Sequence, residues 1–212
     1  MAVHYGSVPF REQLRIFRDK GANLVPTATW RDLWQAAHDR AFMVAGATKA
    51  DLLADIHAAL LKSQEEGLPL PDFRKRFSQL AEQHGWTGWT GSDTAAGRAW
   101  RTRVIWETNL RTSYAAGRWQ QIQAAKTRRP YLIYRHNDSV RYPRPLHQSW
   151  DGTILPVDHP WWQTHYTPNG WGCKCSVRSL SERDLRRRGL SDRQGGEQRE
   201  AERNPSAGHR TG

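Results

Sequence analysis

Ala124-Ala-Lys-Thr-Arg-Arg-Pro130-Tyr-Leu-Ile-Tyr-Arg135 is where the chain changes period. Upstream of Pro130, apolar residues recur every three or four positions, as on one face of a helix. Downstream, Tyr131 to Arg135 is a short aromatic and aliphatic run of the kind that forms a buried strand. Proline ends the first pattern because it lacks an N–H and pushes the preceding residue out of helical conformation. The expected fold is therefore α+β: a helical N-terminal half, made of a bundle plus one long helix, and a small C-terminal mixed module of short antiparallel strands.

The spacing predicts a long helix from about Thr94 to Lys126. Val104, Thr108, Ala115, Trp119 and Ile122 share one side of it, and Arg103, Arg111 and Arg118 cluster on another. Such an arginine row can lie along phosphates or form a solvated, ion-paired face. Before it comes a turn-rich loop, Trp86-Thr-Gly-Trp-Thr-Gly-Ser92. Phe10 to Lys20 reads as a short amphipathic helix carrying Phe10, Leu14 and Phe17. Three helices of a bundle follow. The first is capped by Thr29 and runs through Trp30, Leu33, Trp34, Ala37, Ala41, Val44 and Ala45. The second is capped by Thr48 and carries Leu52, Leu53, Ile56 and Leu60. The third has Pro71 in its first turn and carries Phe73, Phe77, Leu80 and Ala81.

Downstream of Pro130, Asn137-Asp138-Ser139 reads as a turn, Thr153-Ile-Leu as a second strand and Gly172 to Arg178 as a third. Ser181, with Asp184 three residues on, caps a short basic helix ending near Gly189. From Ser191 onward almost nothing is apolar, which predicts a disordered basic tail. Three regions result: 1–93 helical, 94–190 long helix plus small sheet, and 191–212 tail.

The chain has 212 residues, a mean hydropathy of −0.83 and eleven tryptophans. That is enough for one modest core with much area in a few large rings. No run approaches the roughly 18 apolar residues of a membrane span, so no membrane association is expected. The first twenty-one residues lack the apolar segment of a secretory signal. Two cysteines cannot form a disulfide framework, and a reducing compartment is the simpler expectation. The formal charge of +11 is uneven: residues 1–100 carry 12 basic against 11 acidic side chains, and residues 101–212 carry 20 against 10. A block that basic attracts a polyanion, with nucleic acid the commonest, or serves solubility and acidic protein partners. Arg186, Arg187 and Arg188 extend the basic surface begun by the arginine row.

One constellation could carry chemistry. His147, Asp151, Asp158, His159, His165, Cys173 and Cys175 fall within thirty residues of a loop-rich segment. On a strand, Cys173 and Cys175 would point to the same face. Zinc takes about four nitrogen, sulfur or oxygen donors. The two thiolates plus His147, and either His165 or an aspartate, could supply them; two reduced cysteines packed against Trp171 are the plainer alternative. His147 with Asp138 or Asp151 could instead do acid–base work, as in a metal-dependent nuclease or toxin. The two-metal acid cluster, the glycine-rich phosphate loop and Gly-x-Ser-x-Gly are all missing from the sequence, so enzyme activity is not expected. A zinc-dependent nucleic-acid-binding protein is the other alternative.

Glu107-Thr-Asn-Leu-Arg-Thr-Ser-Tyr-Ala-Ala-Gly-Arg-Trp119 resembles the helix signature of the phage Mu F-like (head morphogenesis) family of minor head proteins. So do Asp138 through Arg141, Arg144-Pro-Leu-His147 and Trp150-Asp-Gly-Thr-Ile-Leu-Pro156. His159-Pro-Trp-Trp-Gln-Thr164 and Pro168-Asn-Gly-Trp-Gly-Cys-Lys-Cys175 follow in the same order. Trp30-Arg-Asp-Leu-Trp34 and Ala37-His-Asp-Arg-Ala-Phe42 resemble it more loosely. The resemblance implies a virion component at the portal vertex or capsid interior, present in host cytoplasm during assembly. Its implied partners are the portal protein, the major capsid protein or both, with genomic DNA nearby. It also implies that His147, Cys173 and Cys175 are metal positions, with His165 less regular in the family. Many members are longer than this chain.

Overall fold

The computed structural model describes residues 10–29 and 41–190. Two compact units divide within the long helix, residues 1–118 and 119–212. The expected bundle helix capped by Thr29 lies mostly outside the described residues, as does the tail from Ser191. Among the described residues, no helix is long and apolar enough to cross a membrane.

The first unit contains α1 (Arg11–Lys20), α2 (Ala50–Glu66), α3 (Leu70–Gln83) and the start of α4 (Ala95–Ala125). Its core is Phe17, Phe42, Val44, Leu52, Leu53, Ile56, Leu60, Phe73, Phe77, Leu80 and Ile105, all buried. Gly67 ends α2 at φ 66°, a left-handed position that glycine adopts without steric cost. Trp86 and Trp89 from the following loop, together with Trp106 of α4, pack around Phe73 and Phe77 at centroid distances of 5.4–5.8 Å.

Two local expectations are corrected. Ala41–Ala45 is not helical: Phe42 pairs with Leu24 in a parallel bridge, with its N–H bonded to Asn23 O at 2.9 Å. A short run buried on every side satisfies a helical stripe and an extended segment equally well, so spacing alone cannot separate them. The N-cap of α2 is Lys49 rather than Thr48, without a side-chain cap, and Asp51 instead accepts from the adjacent Leu52 N–H at 2.8 Å.

The buried line of α4 also differs from the expected apolar side. It runs through Thr102, Ile105, Asn109, Ser113 and Gly117. The polar members return their hydrogen bonds to the preceding turn: Thr102 to Arg98 O at 2.8 Å, Asn109 to Ile105 O at 2.9 Å and Ser113 to Asn109 O at 2.7 Å. Small side chains satisfied by their own helix can be buried at little cost, and hydropathy does not register them. Gly117 is needed for closeness. A Cβ there would lie 2.9 Å from Gln13 N and 3.0 Å from the Phe10 ring. Gln13 then donates to Gln64, Leu110 O and Ser113, tying α1 to α2 and α4.

The second unit holds the end of α4, β1 (Tyr131–Arg135), α5 (Pro145–Ser149), β2 (Ile154–Pro156), α6 (Trp162–His165), β3 (Ser176–Leu180) and α7 (Glu182–Arg188). The strands form an antiparallel sheet in the order β2-β1-β3, with Ile133 opposite Ile154 and Arg178. Central β1 is buried on both faces. Leu132 and Tyr134 pack with Ile122, Val157 and Trp162, while Ile133 packs with Ile154, Leu180 and Leu185. The third strand starts later than expected, at Ser176, so Cys173 and Cys175 sit in an irregular approach to it.

The α7 cap forms as expected. Asp184 N–H donates to Ser181 Oγ, and the Asp184 carboxylate accepts from Ser181 N–H at 3.0 Å. Arg129 reaches the same carboxylate at 3.0 Å and the Ser179 carbonyl, tying the chain before β1 to β3 and α7.

Two outcomes are expected from these contacts. Gly→Ala inside a helix ordinarily stabilises by up to about 1 kcal/mol, but Gly117→Ala should destabilise by about 1–3 kcal/mol through overpacking, measured by urea denaturation. The Ser181 backbone and side-chain hydrogen bonds hold the Asp184 carboxyl down, to about 2. Its folded value lies below the unfolded one, so its stabilising contribution is present above the ordinary carboxylate range and lost as pH falls toward 2. Carboxyl NMR should show that low midpoint, and Ser181→Ala should raise it.

Candidate metal centre

Three separate pieces of chain supply the site. His147 lies on α5, which opens with Pro145 in its first turn. Arg144, just before that helix, donates to the carbonyls of Asn169 and Trp171, pinning α5 against the 168–172 turn. That turn has Gly170 at φ 86° and Gly172 at φ 70°, backbone conformations that exclude most side chains. It delivers Cys173 and Cys175, while β1 delivers Tyr134 from beneath.

His147 Nδ1 lies 3.7 Å from Sγ of Cys173 and 3.7 Å from Sγ of Cys175. The three donor atoms all fall within 4.8 Å of one another, and this is the one such group of three or more among the described residues. A tetrahedral zinc with sulfur at about 2.3 Å and nitrogen at about 2.0 Å has S···N edges of roughly 3.5 Å. The donor set and its spacing fit that ion. Cys173 and His147 are buried and Cys175 is half-buried. Both cysteines are free thiols. The hydrogen bond from Cys175 pulls the Cys173 thiol well below its ordinary range and pushes Cys175 the other way.

Aromatic rings enclose the site. Trp150 stacks on His147 at 5.1 Å and meets His165 edge-on at 4.5 Å, and Trp161 stacks on His165 at 4.1 Å. Tyr134 stands edge-on to Trp150 and Trp161 at 5.8 and 6.0 Å. Its hydroxyl is buried near Cys175 and Asn169 yet makes no directed hydrogen bond. Burial raises its pKa far above the ordinary phenol range. A buried hydroxyl left unbonded costs about 1–3 kcal/mol.

His165 is not in the three-donor group. Its Nδ1 faces Trp161 O at 3.0 Å and the Thr164 hydroxyl at 2.7 Å. The aspartates are engaged elsewhere: Asp151 accepts from His136 N–H at 2.8 Å, Asp138 contacts His136 Nδ1 at 2.9 Å, and Asp158 pairs with Lys126 at 3.0 Å. Of the arginines singled out above, Arg103, Arg186, Arg187 and Arg188 are exposed, and Arg111 and Arg118 are half-buried. Arg186 and Arg187 pair with Glu182 and Asp184 on their own helix.

Sequence reasoning missed Tyr134, Trp150 and Arg144 as parts of the site. Arg144 and Trp150 lie inside motifs quoted above, but nothing in those motifs gave them a place beside the thiols. Tyr134 lies on the central strand, and its approach to Cys175 depends on a strand register that the sequence does not fix.

Two curated proteins are similar over most of this chain. The putative capsid assembly protein F of Escherichia phage Mu is 33% identical over 191 residues, covering 86% of this chain and 43% of that protein. The Mu-like prophage FluMu F protein of Haemophilus influenzae is 37% identical over 169 residues, covering 77% of this chain and 40% of that one. The chain therefore spans less than half the length of either. No solved structure matches it. The family described as Phage Mu protein F like protein matches residues 54–178, more than half of the chain and all three converging donors. The chain belongs to the Phage Mu protein F like family.

Proposed function

We propose that this chain is a minor head protein of a tailed phage or prophage that acts in head morphogenesis without catalysing a reaction. It works at the portal vertex or capsid interior, against the portal protein, the major capsid protein or both, with genomic DNA nearby. The observation that carries this reading is the similarity, over 86% of the chain, to a protein named for capsid assembly. The basic half supports DNA proximity, because Lys and Arg facing phosphates gain affinity by counterion release. Arg103, Arg186, Arg187 and Arg188 are the exposed candidates for phosphate contact, with Arg111 and Arg118 less accessible. A structural role rather than turnover is supported by the aspartates, whose carboxylates meet His136, Arg135 and Lys126 rather than His147.

His147, Cys173 and Cys175 hold zinc in this reading. The ion supplies cross-linking: it joins α5 to the approach of β3, in a module with a sheet of three short strands. His165 completes the ligand set if its ring turns away from Trp161; otherwise the fourth donor is an aspartate or a non-protein ligand.

Mass spectrometry of purified particles should find the chain in the head fraction, and deletion of its gene should abolish intact heads. Absence from particles together with normal heads would refute the reading. Protein purified without chelator should carry about one zinc per chain, and removing the metal should lower Tm by several degrees. His147→Ala should lose the metal; a zinc content near zero in the wild type rejects the centre.

A further inference from the structure

We infer that the Tyr134 hydroxyl is a positioning group for the metal centre, donating its hydrogen bond to the metal-bound sulfur of Cys175. The inference rests on the metal reading above and adds a residue outside the ligand set. Tyr134 is wholly buried on the central strand, and its hydroxyl oxygen makes no directed hydrogen bond. Buried hydroxyls are nearly always bonded, so an orphan in a tightly packed core calls for a partner. Cys175 comes one residue before Ser176, which pairs with Arg135 next to Tyr134, and it packs against the apolar cluster that contains Tyr134. In that cluster Trp150 and Trp161 stand edge-on to the phenol ring, which limits where the hydroxyl can point.

A neutral thiol is a weak acceptor. A metal-bound thiolate is a strong one, because charged acceptors form the shorter and stronger hydrogen bonds. The orphan hydroxyl is thus satisfied when the metal is present and costs stability when it is absent. The ring also orients the sulfur, since a donor beneath it fixes which lone pair remains for the ion. Groups that hold a metal ligand in this way typically contribute roughly 10- to 100-fold in affinity. The phenol keeps its proton and only shares it.

Cobalt(II) titration of wild type and Tyr134→Phe tests this, because tetrahedral cobalt reports sulfur ligation by its charge-transfer band and geometry by its d–d bands. The variant should bind cobalt roughly 10- to 100-fold more weakly. Its charge-transfer band should move to lower energy, as expected for a more electron-rich sulfur, with the d–d bands retained. The metal-free variant should match or exceed the metal-free wild type in Tm, since it loses only an unbonded oxygen. As a second measurement on the folded wild type, zinc loading should protect one tyrosine hydroxyl proton from exchange, and Tyr134→Phe should remove that signal. Equal affinity with an unshifted band overturns the inference while leaving the metal centre intact. Altered d–d bands would make the phenol oxygen a ligand and also overturn it. Failure of the wild type to bind cobalt overturns the metal reading and this inference together.

Discussion

Three strands of five, three and five residues leave the second unit dependent on what holds its loops. The ladder fixes β1 between its neighbours, but the segments 136–153 and 157–175 must be held by side chains. The convergence of His147 Nδ1 with two sulfurs at 3.7 Å each is the point at which those segments meet. Everything around it follows from that meeting. Arg144 closes the turn from outside, the Trp150 ring lies flat on the imidazole, and the glycines at 170 and 172 permit the path that brings both thiols inward. A small module has few residues available to be buried, so side chains that meet across its loops carry more of its order.

The tryptophans divide by task. Trp86, Trp89 and Trp106 extend the phenylalanine core of the first unit, where large rings substitute for a deeper aliphatic interior. In the second unit Trp119, Trp150, Trp161 and Trp162 line the Tyr134 side of the sheet. Trp162 donates its indole N–H to Pro156 O at 2.9 Å, so its burial strands no donor. Trp100 and Trp171 remain substantially exposed.

Several basic residues serve architecture before they serve any polyanion. Arg101 is buried and donates to the Ala45 carbonyl, Arg129 joins Ser179 and Asp184, and Arg144 fastens a turn. Arg18, Lys126, Arg186 and Arg187 are likewise ion-paired with carboxylates of this chain. Net charge is therefore no measure of a phosphate-binding surface, since a guanidinium's fixed fork suits backbone carbonyls as well as phosphate.

Much of the architecture was written locally. The change of period at Pro130, the α7 cap, the long helix and the strand at Tyr131–Arg135 each rest on neighbours a few residues apart, and each stands where its pattern predicted. The ordered motifs likewise carried the family. His147, Cys173 and Cys175 were legible as residue types, though not as a triad excluding His165. Tertiary structure decided the rest. It made Ala41–Ala45 an extended buried crossing, placed Cys173 and Cys175 ahead of the strand, and turned His165 onto Trp161. It also buried a line of hydroxyls and amides along α4 and left one phenol without a partner beside the thiols. Each depends on side chains distant in sequence meeting in space, and such meetings leave no trace in composition or period.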